Sequence, residues 1–597
     1  MPRTLDRRRF VLASLAGIGG ATVLGGCGVA SGAQDREDTL IVSVSDTINQ
    51  LSDVGVVNPF LLGTYRTGWQ FAFEPLFFYN PWWTAKVTGP AWLPGKDGVI
   101  PYLATGFRYN ADYTEIEIDL RPGVSWSDGK PFTARDVAFT LEMLKASAPQ
   151  LNFSFDMNLW IKRVDVVSEL RARIFLNRPN PRFMMSYLLW RQDVGIPMVP
   201  EHIFKGKPAT TFTNFDIDKG WPVVTGPWKL VNSTSEQKVW ERRDDWWGAK
   251  TGFHRLPAPK RVVVLPLYST DKLTQLLASN KLDATHNIPP ANAKTALRKN
   301  PDLIVRARDQ SKPWGWLDWW TNQLGFNCSR PPFDDPDIRM AINYALDREE
   351  IIRVGFDGDS TAALLPLPSY PSLRKFRDLA RPTLESKGIS TTAHLEKTNQ
   401  IMESKGYRKD PKGLWAVNGK RFPIVIMCQP GFFESYLPIM VAQLRRAGFD
   451  AGYKALSTAG SMVDRGEIDA FMDGNQGAAV SDPYGELETL HGRYSAPAGK
   501  VATYPNRWKN PEYDHLVEEM GSLPPEDPRF VSAYEKAIAN VVAEAPVIPL
   551  VDNYLIMPVS TKYWHGWPDE SNPYCAPSLW HRTAGLVINS LEPAPRP

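Results

Sequence analysis

The sequence is poor in the residue types that usually mark a metal or redox centre. Only 4 cysteines and 8 histidines occur among 597 residues, and the histidines are scattered singly from His202 to His581. Neither residue type shows the spacing that metal ligands need. The sequence therefore predicts neither a metal site nor a cofactor.

An excess of charge and a long apolar run are also missing. The 68 basic and 65 acidic residues are well mixed and leave a formal net charge of +3. A nucleic-acid-binding protein would need a basic patch or stripe, so we expect no nucleic-acid partner. The apolar run from Phe10 to Gly26 is too short to serve comfortably as a transmembrane helix.

Familiar catalytic motifs do not occur in the chain. H-E-x-x-H, G-x-S-x-G and the phosphate-binding G-x-x-x-x-G-K-[ST] are all absent from the sequence. A hydrolase that uses two carboxylates remains an alternative, because the separation of two carboxylates cannot be derived from sequence.

Tryptophan is unusually frequent. The chain has 21 Trp against 20 Tyr, and four of them, at positions 314, 316, 319 and 320, lie within seven residues. Hydrophobic residues make up 43% and charged residues 22%, which is ordinary for a soluble globular protein. A chain of this length predicts two or three domains.

The N-terminus is typical of an export signal. Arg7-Arg8-Arg9-Phe10 resembles a twin-arginine signal, and Leu24-Gly25-Gly26-Cys27 matches a bacterial lipobox. We expect residues 1–26 to be a signal peptide, Cys27 to carry the lipid, and 27–34 to be a linker. The mature protein would then be extracytoplasmic and anchored to the outer face of the cell membrane, or periplasmic. The alternative is a plain secretory signal with a chance cysteine.

Strand and helix signals alternate along the chain without a repeat period. Glu115 to Leu120 alternates as a strand, Thr133 precedes a predicted helix, and Asp335-Pro336 begins another. This pattern predicts an α/β fold with mixed α+β sheets. The three cysteines after Cys27 allow one disulfide or three free thiols.

Several segments together resemble the family-5 solute-binding proteins of ABC importers, the group that binds oligopeptides, dipeptides, nickel or oligosaccharides. In chain order they are LRPGVSWSDGKPFTARDV (120–137), TGPWKL (225–230), DDWWG (244–248), FNCSRPPFDDPDIRMAINYALDREEII (326–352) and NRWKNPEYDHL (506–516). They are spread over almost the whole mature chain and follow the order of the family.

The resemblance implies a two-lobed periplasmic-binding-protein-like fold with an extra domain inserted in the first lobe. The expected first lobe comprises 35–80, 222–324 and 550–597, the inserted domain 81–221, and the second lobe 325–549. It also implies that a ligand is enclosed between lobes that close about a hinge, and that an ABC permease is the partner.

Peptide binders of this family hold the α-amino group of the ligand with an aspartate four residues before a proline. In the corresponding loop here, 471–483, that position is Ala479. A buried cation needs an opposite charge, so the missing aspartate disfavours peptides. Asp473 could take the role if the loop is re-registered, and a di- or oligopeptide ligand therefore remains an alternative.

Aromatic residues favour an oligosaccharide, because sugar rings stack on indoles and their hydroxyls bind amides and carboxylates. The predicted ligand-binding residues are Trp82, Trp83, Trp319 and Trp320, with Asp473, Asn475 and Gln476 as polar partners and, from the resemblance of segment 58–69, Asn58, Tyr65 and Arg66. Some members of the resembled family take β-linked oligosaccharides, and we expect a ligand of that class. Adjacent residues of a strand point to opposite faces, so at most one tryptophan of each pair is expected to face the cleft. Trp126, Trp228, Trp246 and Trp247 are expected to be structural.

Overall fold

A computed structural model describes residues 36–595, apart from 63, 65, 85, 87, 88, 475, 476, 478, 498 and 503. The predicted signal peptide and Cys27 lie outside the described residues. Within the described part, no helix has both the length and the apolar character that crossing a membrane requires.

A seven-stranded mixed sheet forms the first lobe. Its central strand, Thr39–Ile48, pairs in parallel with Arg261–Leu267, whose side chains alternate between buried and half-buried. The order of the strands across the sheet is Leu303–Ile304, Val559–Ser560, Ala284–Thr285, Thr39–Ile48, Arg261–Leu267, Lys238–Arg242 and Trp228–Ser233.

A five-stranded mixed sheet forms the second lobe. The order of its strands is Asp450–Ala455, Pro423–Cys428, Ala470–Gly474, Trp316–Phe326 and Val547–Leu555. We call Trp316–Phe326 the hinge strand, because it is the first strand after the chain leaves the first sheet.

The chain passes between the two sheets at 305–315 and again at 556–558. The predicted boundaries, at 324/325 and 549/550, fall inside the hinge strand and inside Val547–Leu555 instead. The strands of the second sheet therefore lie between these two connections. The division of the chain into lobes stays a prediction.

Two further sheets belong to the segment inserted between the first-lobe strands. One contains Ala104–Tyr109, Glu115–Leu120, Arg171–Leu176 and Ile161–Ser168, and the other contains Val99–Pro101, Phe77–Tyr79 and Leu189–Trp190. The inserted sheets thus begin at Phe77, a few residues before the expected boundary at 81. Small sheets are formed by Arg408–Lys409, Trp415–Val417 and Lys420–Arg421, and by Trp564–His565 and Glu592–Pro593.

Helices cover the sheets and begin at residues that suit helix starts. Thr133 forms a capping box with Asp136, and Asp335 caps a helix whose first residue is Pro336, as predicted. The longer α-helices are Ala134–Ala146, Ser154–Trp160, Thr270–Ala278, Pro290–Lys299, Pro336–Tyr344, Arg374–Lys387, Leu395–Ser404, Leu437–Arg446, Ala459–Asp464, Pro511–Ser522, Pro528–Glu544 and Ala584–Ser590. Shorter α-helices are Trp69–Ala72, Glu201–Phe204, Trp247–Lys250, Arg348–Glu350 and Tyr484–Glu488.

One continuous apolar core joins the first lobe, the inserted domain and several second-lobe helices, among them Arg374–Lys387, Pro511–Ser522 and Pro528–Glu544, while a separate core lies on the second sheet. Four tryptophans predicted to be structural, at positions 126, 228, 246 and 247, are buried, which confirms that prediction. Cys328, Cys428 and Cys575 are free thiols.

Candidate functional site

A bulge in the hinge strand changes the direction of its tryptophans. Leu317 pairs with Tyr554 and Thr321 pairs with Asp552, so three residues of the hinge strand stand opposite one residue, Asn553. The three are Asp318, Trp319 and Trp320. A bulge of this kind interrupts the pleat and redirects side chains.

The two tryptophans of the bulge line one cavity of about 690 Å³ in the second lobe, which we call the tryptophan cavity. Its wall also includes Gln429, Phe433, Met472 and Asp473. The expectation that at most one tryptophan of each pair faces the cleft assumed regular alternation, which the bulge removes at Trp319 and Trp320. That one of the two faces the interlobe cleft stays a prediction.

The indole of Trp320 packs directly on strand Ala470–Gly474, a neighbour of the hinge strand in the sheet. A Cβ atom at Gly474 would lie 2.3 Å from the indole Cε3, so only a glycine permits this close approach. Phe433 meets the indole at its edge, with ring centroids 6.5 Å apart. Asp473, next to this glycine, pairs with Gln323 in the strand register and is half-buried.

Asp318 is buried at the base of the bulge, where its carboxylate accepts several hydrogen bonds. The backbone N–H of Trp319 donates to Oδ1 at 2.8 Å, and Nδ2 of Asn553 donates to Oδ2 at 2.9 Å. The side chain of Trp320 is also a hydrogen-bond partner of this carboxylate. Burial raises the pKa of Asp318 to about 6, while these donors and the nearby Arg66 oppose the shift.

Arg66 reaches the same region from the first-lobe side. Its guanidinium forms an ion pair with Asp193, and its charge acts on Asp318 and on buried His581. Both desolvation and Arg66 lower the pKa of His581 well below its ordinary value. Arg66 therefore acts on Asp318 through its charge and does not line the tryptophan cavity.

Three other predicted residues lie outside the tryptophan cavity. Asn58 is buried, donates to the carbonyl of Phe212 at 2.7 Å and accepts from the N–H of Phe60 at 3.0 Å, which is typical of a structural amide. Trp82 packs edge-on against Trp316 and Tyr370, and the half-buried side chain of Trp83 is a hydrogen-bond partner of Tyr79. Tyr65, Asn475 and Gln476 lie outside the described residues.

The loop after Asp473 is held by a buried carboxylate. Glu486 accepts the N–H groups of Gly477 and Ala479 at 3.0 and 3.2 Å. Burial raises its pKa well above the ordinary value, and the charge of Asp473 adds to the shift. Ala479, at the position of the missing aspartate, is buried. The carboxylate of this loop region that lines the tryptophan cavity is that of Asp473.

A buried ion pair connects the inserted domain to the second lobe. Nε of Arg182 donates to both oxygens of Asp482, at 3.0 and 3.1 Å, and Nη1 donates to the carbonyls of Met520 and Leu523. We call the Arg182–Asp482 contact the interlobe ion pair. Both side chains are only 7% exposed, so the lobes are closed on each other at this point.

Sequence reasoning did not find Asp318, Arg182 or Glu486. An acid inside a tryptophan-rich strand was the available signal for Asp318, since such a residue is rarely buried without a partner. Arg182 binds a carboxylate 300 positions later in the chain. Glu486 accepts hydrogen bonds from N–H groups that lie 7 and 9 positions earlier. Over the described residues, no group of His, Cys, Asp and Glu is arranged to hold a metal ion.

The chain is similar to known proteins in sequence and in structure. Residues 98–497 match the family described as bacterial extracellular solute-binding proteins, family 5 middle. The glutathione-binding protein GsiB of Pectobacterium atrosepticum is 24% identical over 78% of this chain and 82% of its own. Heme-binding protein A of Haemophilus influenzae is also 24% identical, over 78% and 81%.

A solved structure of the periplasmic oligopeptide-binding protein of an oligopeptide ABC transporter from Thermotoga maritima superimposes with a TM-score of 0.78. The sequence identity is 22%, and the match covers 94% of this chain and 99% of that one. The structure of that protein with bound mannohexaose superimposes with a TM-score of 0.72. These neighbours share the two-lobed fold, which confirms the predicted fold class. Because the family match spans more than half of the residues of this chain, the chain belongs to the family-5 bacterial extracellular solute-binding proteins.

Proposed function

We propose that the protein captures an oligosaccharide in the tryptophan cavity and delivers it to the permease of an ABC importer. The observation that carries the proposal is the convergence of two indoles and two carboxylates, those of Asp464 and Asp473, on a single cavity. Indole faces bind the C–H faces of sugar rings, and a carboxylate accepts hydrogen bonds from their hydroxyls. A volume of about 690 Å³ lies within the range of small-molecule sites.

The structural neighbour with bound mannohexaose supports this ligand class, since its fold accommodates a hexasaccharide. Lobe closure about 305–315 and 556–558 would enclose the ligand and present one closed surface to the permease. Lipid attachment through Cys27 would keep the protein at the outer face of the membrane. Replacing Cys27 with Ser should release the protein from the membrane fraction without changing its ligand affinity.

A di- or oligopeptide is the second candidate ligand, and Asp473 is the observation that favours it. This half-buried carboxylate lines the cavity and could hold the α-amino group of a peptide. The glutathione-binding relative and the oligopeptide-binding neighbour are consistent with that alternative. The indole pair would then bind apolar side chains of the peptide.

A thermal-shift screen separates the two candidates. Mannohexaose, cellohexaose, glutathione and triglycine are each added to the purified mature protein, because a ligand that binds only the folded state raises the unfolding temperature. At a concentration of 100 Kd the stabilisation is about 2.7 kcal/mol. Stabilisation by a hexasaccharide supports the proposal. Stabilisation by peptides alone would replace it with the second candidate.

Turnover of the same hexasaccharides tests the remaining alternative, a secreted carbohydrate-active hydrolase. The family consists of binding proteins, so we expect the sugar to be recovered intact after incubation. Release of shorter sugars at a rate proportional to protein concentration would contradict the transport function.

A further inference from the structure

We propose that Asp318 is the positioning residue of the tryptophan cavity, and that ligand capture requires its ionised form. The inference rests on the proposed function in one respect, namely that the tryptophan cavity is where the ligand binds. Asp318 does not itself line the cavity, and ligand capture would depend on the protonation state of its carboxyl group.

The first step is the geometry of the bulge. Because the bulge takes three residues out of the ladder, the N–H of Trp319 does not donate to the neighbouring strand. It donates instead to Asp318 Oδ1. The side chain of Trp320 binds the same carboxylate. One acidic group is thus bonded to the backbone of one tryptophan and to the indole of the next.

The second step is the anchoring of Asp318 itself. Asn553, the residue opposite the bulge on strand Val547–Leu555, donates its amide to Asp318 Oδ2. Asp318 is 6% exposed, and neither it nor Asn553 lines the cavity. The carboxylate is therefore an internal connection between the cavity wall and the strand on which the chain returns to the first lobe.

The third step is the requirement for charge. An ionised carboxylate only accepts hydrogen bonds, which suits three surrounding donors. Protonation turns one oxygen into a hydroxyl that accepts more weakly, so the charge-assisted hydrogen bonds from the surrounding N–H groups weaken. The indole of Trp320 is then held less firmly, and the cavity wall loosens.

Two groups among the described residues, Arg66 and Tyr370, act electrostatically with Asp318. Arg66 faces it from the first lobe and favours the ionised form. Tyr370, whose hydroxyl donates to the carbonyl of Leu317, lies within electrostatic reach of both Asp318 and Asp552. Burial outweighs Arg66 and raises the pKa of Asp318 to about 6. The proton is therefore taken up within a pH range that an extracytoplasmic protein encounters.

Stability and capture should respond to this proton in opposite directions. Since the pKa of Asp318 is raised by folding, its contribution to stability is fully present below the unfolded pKa of about 3.9 and is lost as the pH rises through about 6. Capture needs the charged form and is therefore lost as the pH falls through the same value. If Asp318 had a merely structural role, a change of pH would shift the folding stability and the ligand affinity in the same direction.

The test begins without ligand, so that it does not depend on which sugar or peptide binds. Intrinsic tryptophan emission is titrated from pH 8 to pH 4.5 for the wild type, Asp318→Asn and Trp320→Phe, with Asp378→Asn as control. Asp378 is an exposed aspartate on helix Arg374–Lys387. We expect a transition near pH 6 in the wild type and in the control, and no such transition in the other two variants. Persistence of the transition in Asp318→Asn would overturn the proposal.

The second arm measures the affinity for mannohexaose at pH 7.5 and pH 5. If only the ionised form binds, the dissociation constant rises about tenfold on acidification, because about one molecule in ten then keeps the charge. Asp318→Asn should bind weakly at both pH values, and Asp318→Glu should restore part of the pH dependence. Equal affinity of the wild type at both pH values would contradict the inference. If no sugar binds at all, the proposed ligand class fails, whereas the ligand-free titration still decides the role of Asp318.

Discussion

At the scale of single residues, the side chains of Trp319 and Trp320 bear most directly on ligand specificity. Both are half-buried, and both line the same cavity with Asp473. Other tryptophans of the chain have different surroundings: Trp246 and Trp247, for example, donate their indole N–H groups to buried Glu74. Abundant tryptophan in the sequence therefore indicates mainly a large aromatic core, and only a few indoles are available to a ligand.

Replacing Trp319 or Trp320 with Ala should weaken oligosaccharide binding by about 1–3 kcal/mol, taking base–aromatic stacking as an analogue. The physical reason is the loss of one indole face from the cavity wall. Isothermal titration calorimetry measures the change. Trp160→Ala is the matched control, because Trp160 is half-buried in the inserted domain and lies away from the cavity. Unchanged affinity in both cavity variants would assign the two indoles to packing alone.

At the scale of elements, the hinge strand and strand Ala470–Gly474 together define the cavity. They pair antiparallel with Asn322 opposite Gly474, which places this glycine beneath the indole of Trp320. The absence of a side chain at this position lets the indole lie against the backbone. Any substitution there must move the ring, because the distance from a new Cβ to the indole would be 2.3 Å.

Gly474→Ala should therefore lower ligand affinity by about tenfold, which is about 1.4 kcal/mol. Gly452→Ala is the matched control, since Gly452 also lies in a strand of the second sheet and its Cβ would meet no atom within 4 Å. Thermal unfolding of both variants checks that the fold is retained. Equal affinity of the two variants would show that the indole position does not matter for binding.

Helix starts could be predicted from the sequence because they depend on local chemistry. The capping box at Thr133 and the proline at Pro336 are signals within four residues of the helix they begin. The bulge at 318–320 could not be predicted, because it depends on the register with Val547–Leu555, more than 200 residues later. The sequence therefore singled out Trp319 and Trp320 as candidates, but not the bulge that directs both of them to one cavity.

At the scale of the whole molecule, the interlobe ion pair connects the inserted domain to the second lobe. Arg182 also lies between the rings of Tyr484 and Phe530, at 4.8 and 4.7 Å from their centroids. Opening of the lobes at this contact would move a buried guanidinium and Asp482 into water. The closed form is thus stabilised by contacts remote from the tryptophan cavity.

Removing one partner, as in Arg182→Met, leaves a buried charge unpaired and should destabilise the closed form by about 3–5 kcal/mol. Small-angle scattering of the ligand-free variant should then show a larger radius of gyration than the wild type, and ligand affinity should fall. Arg381→Met removes an exposed ion pair with Asp378 and serves as control. Identical scattering of Arg182→Met and the wild type would mean that this contact does not hold the lobes together.

Oxidative footprinting of the indoles, read by mass spectrometry, tests the central claim most directly. The mature protein is oxidised with and without a saturating concentration of mannohexaose, and the modification of each tryptophan is compared. We expect Trp319 and Trp320 to be protected by the ligand, while Trp160 in the inserted domain is modified equally in both samples. Binding of the sugar with no protection of Trp319 or Trp320 would contradict capture in the tryptophan cavity.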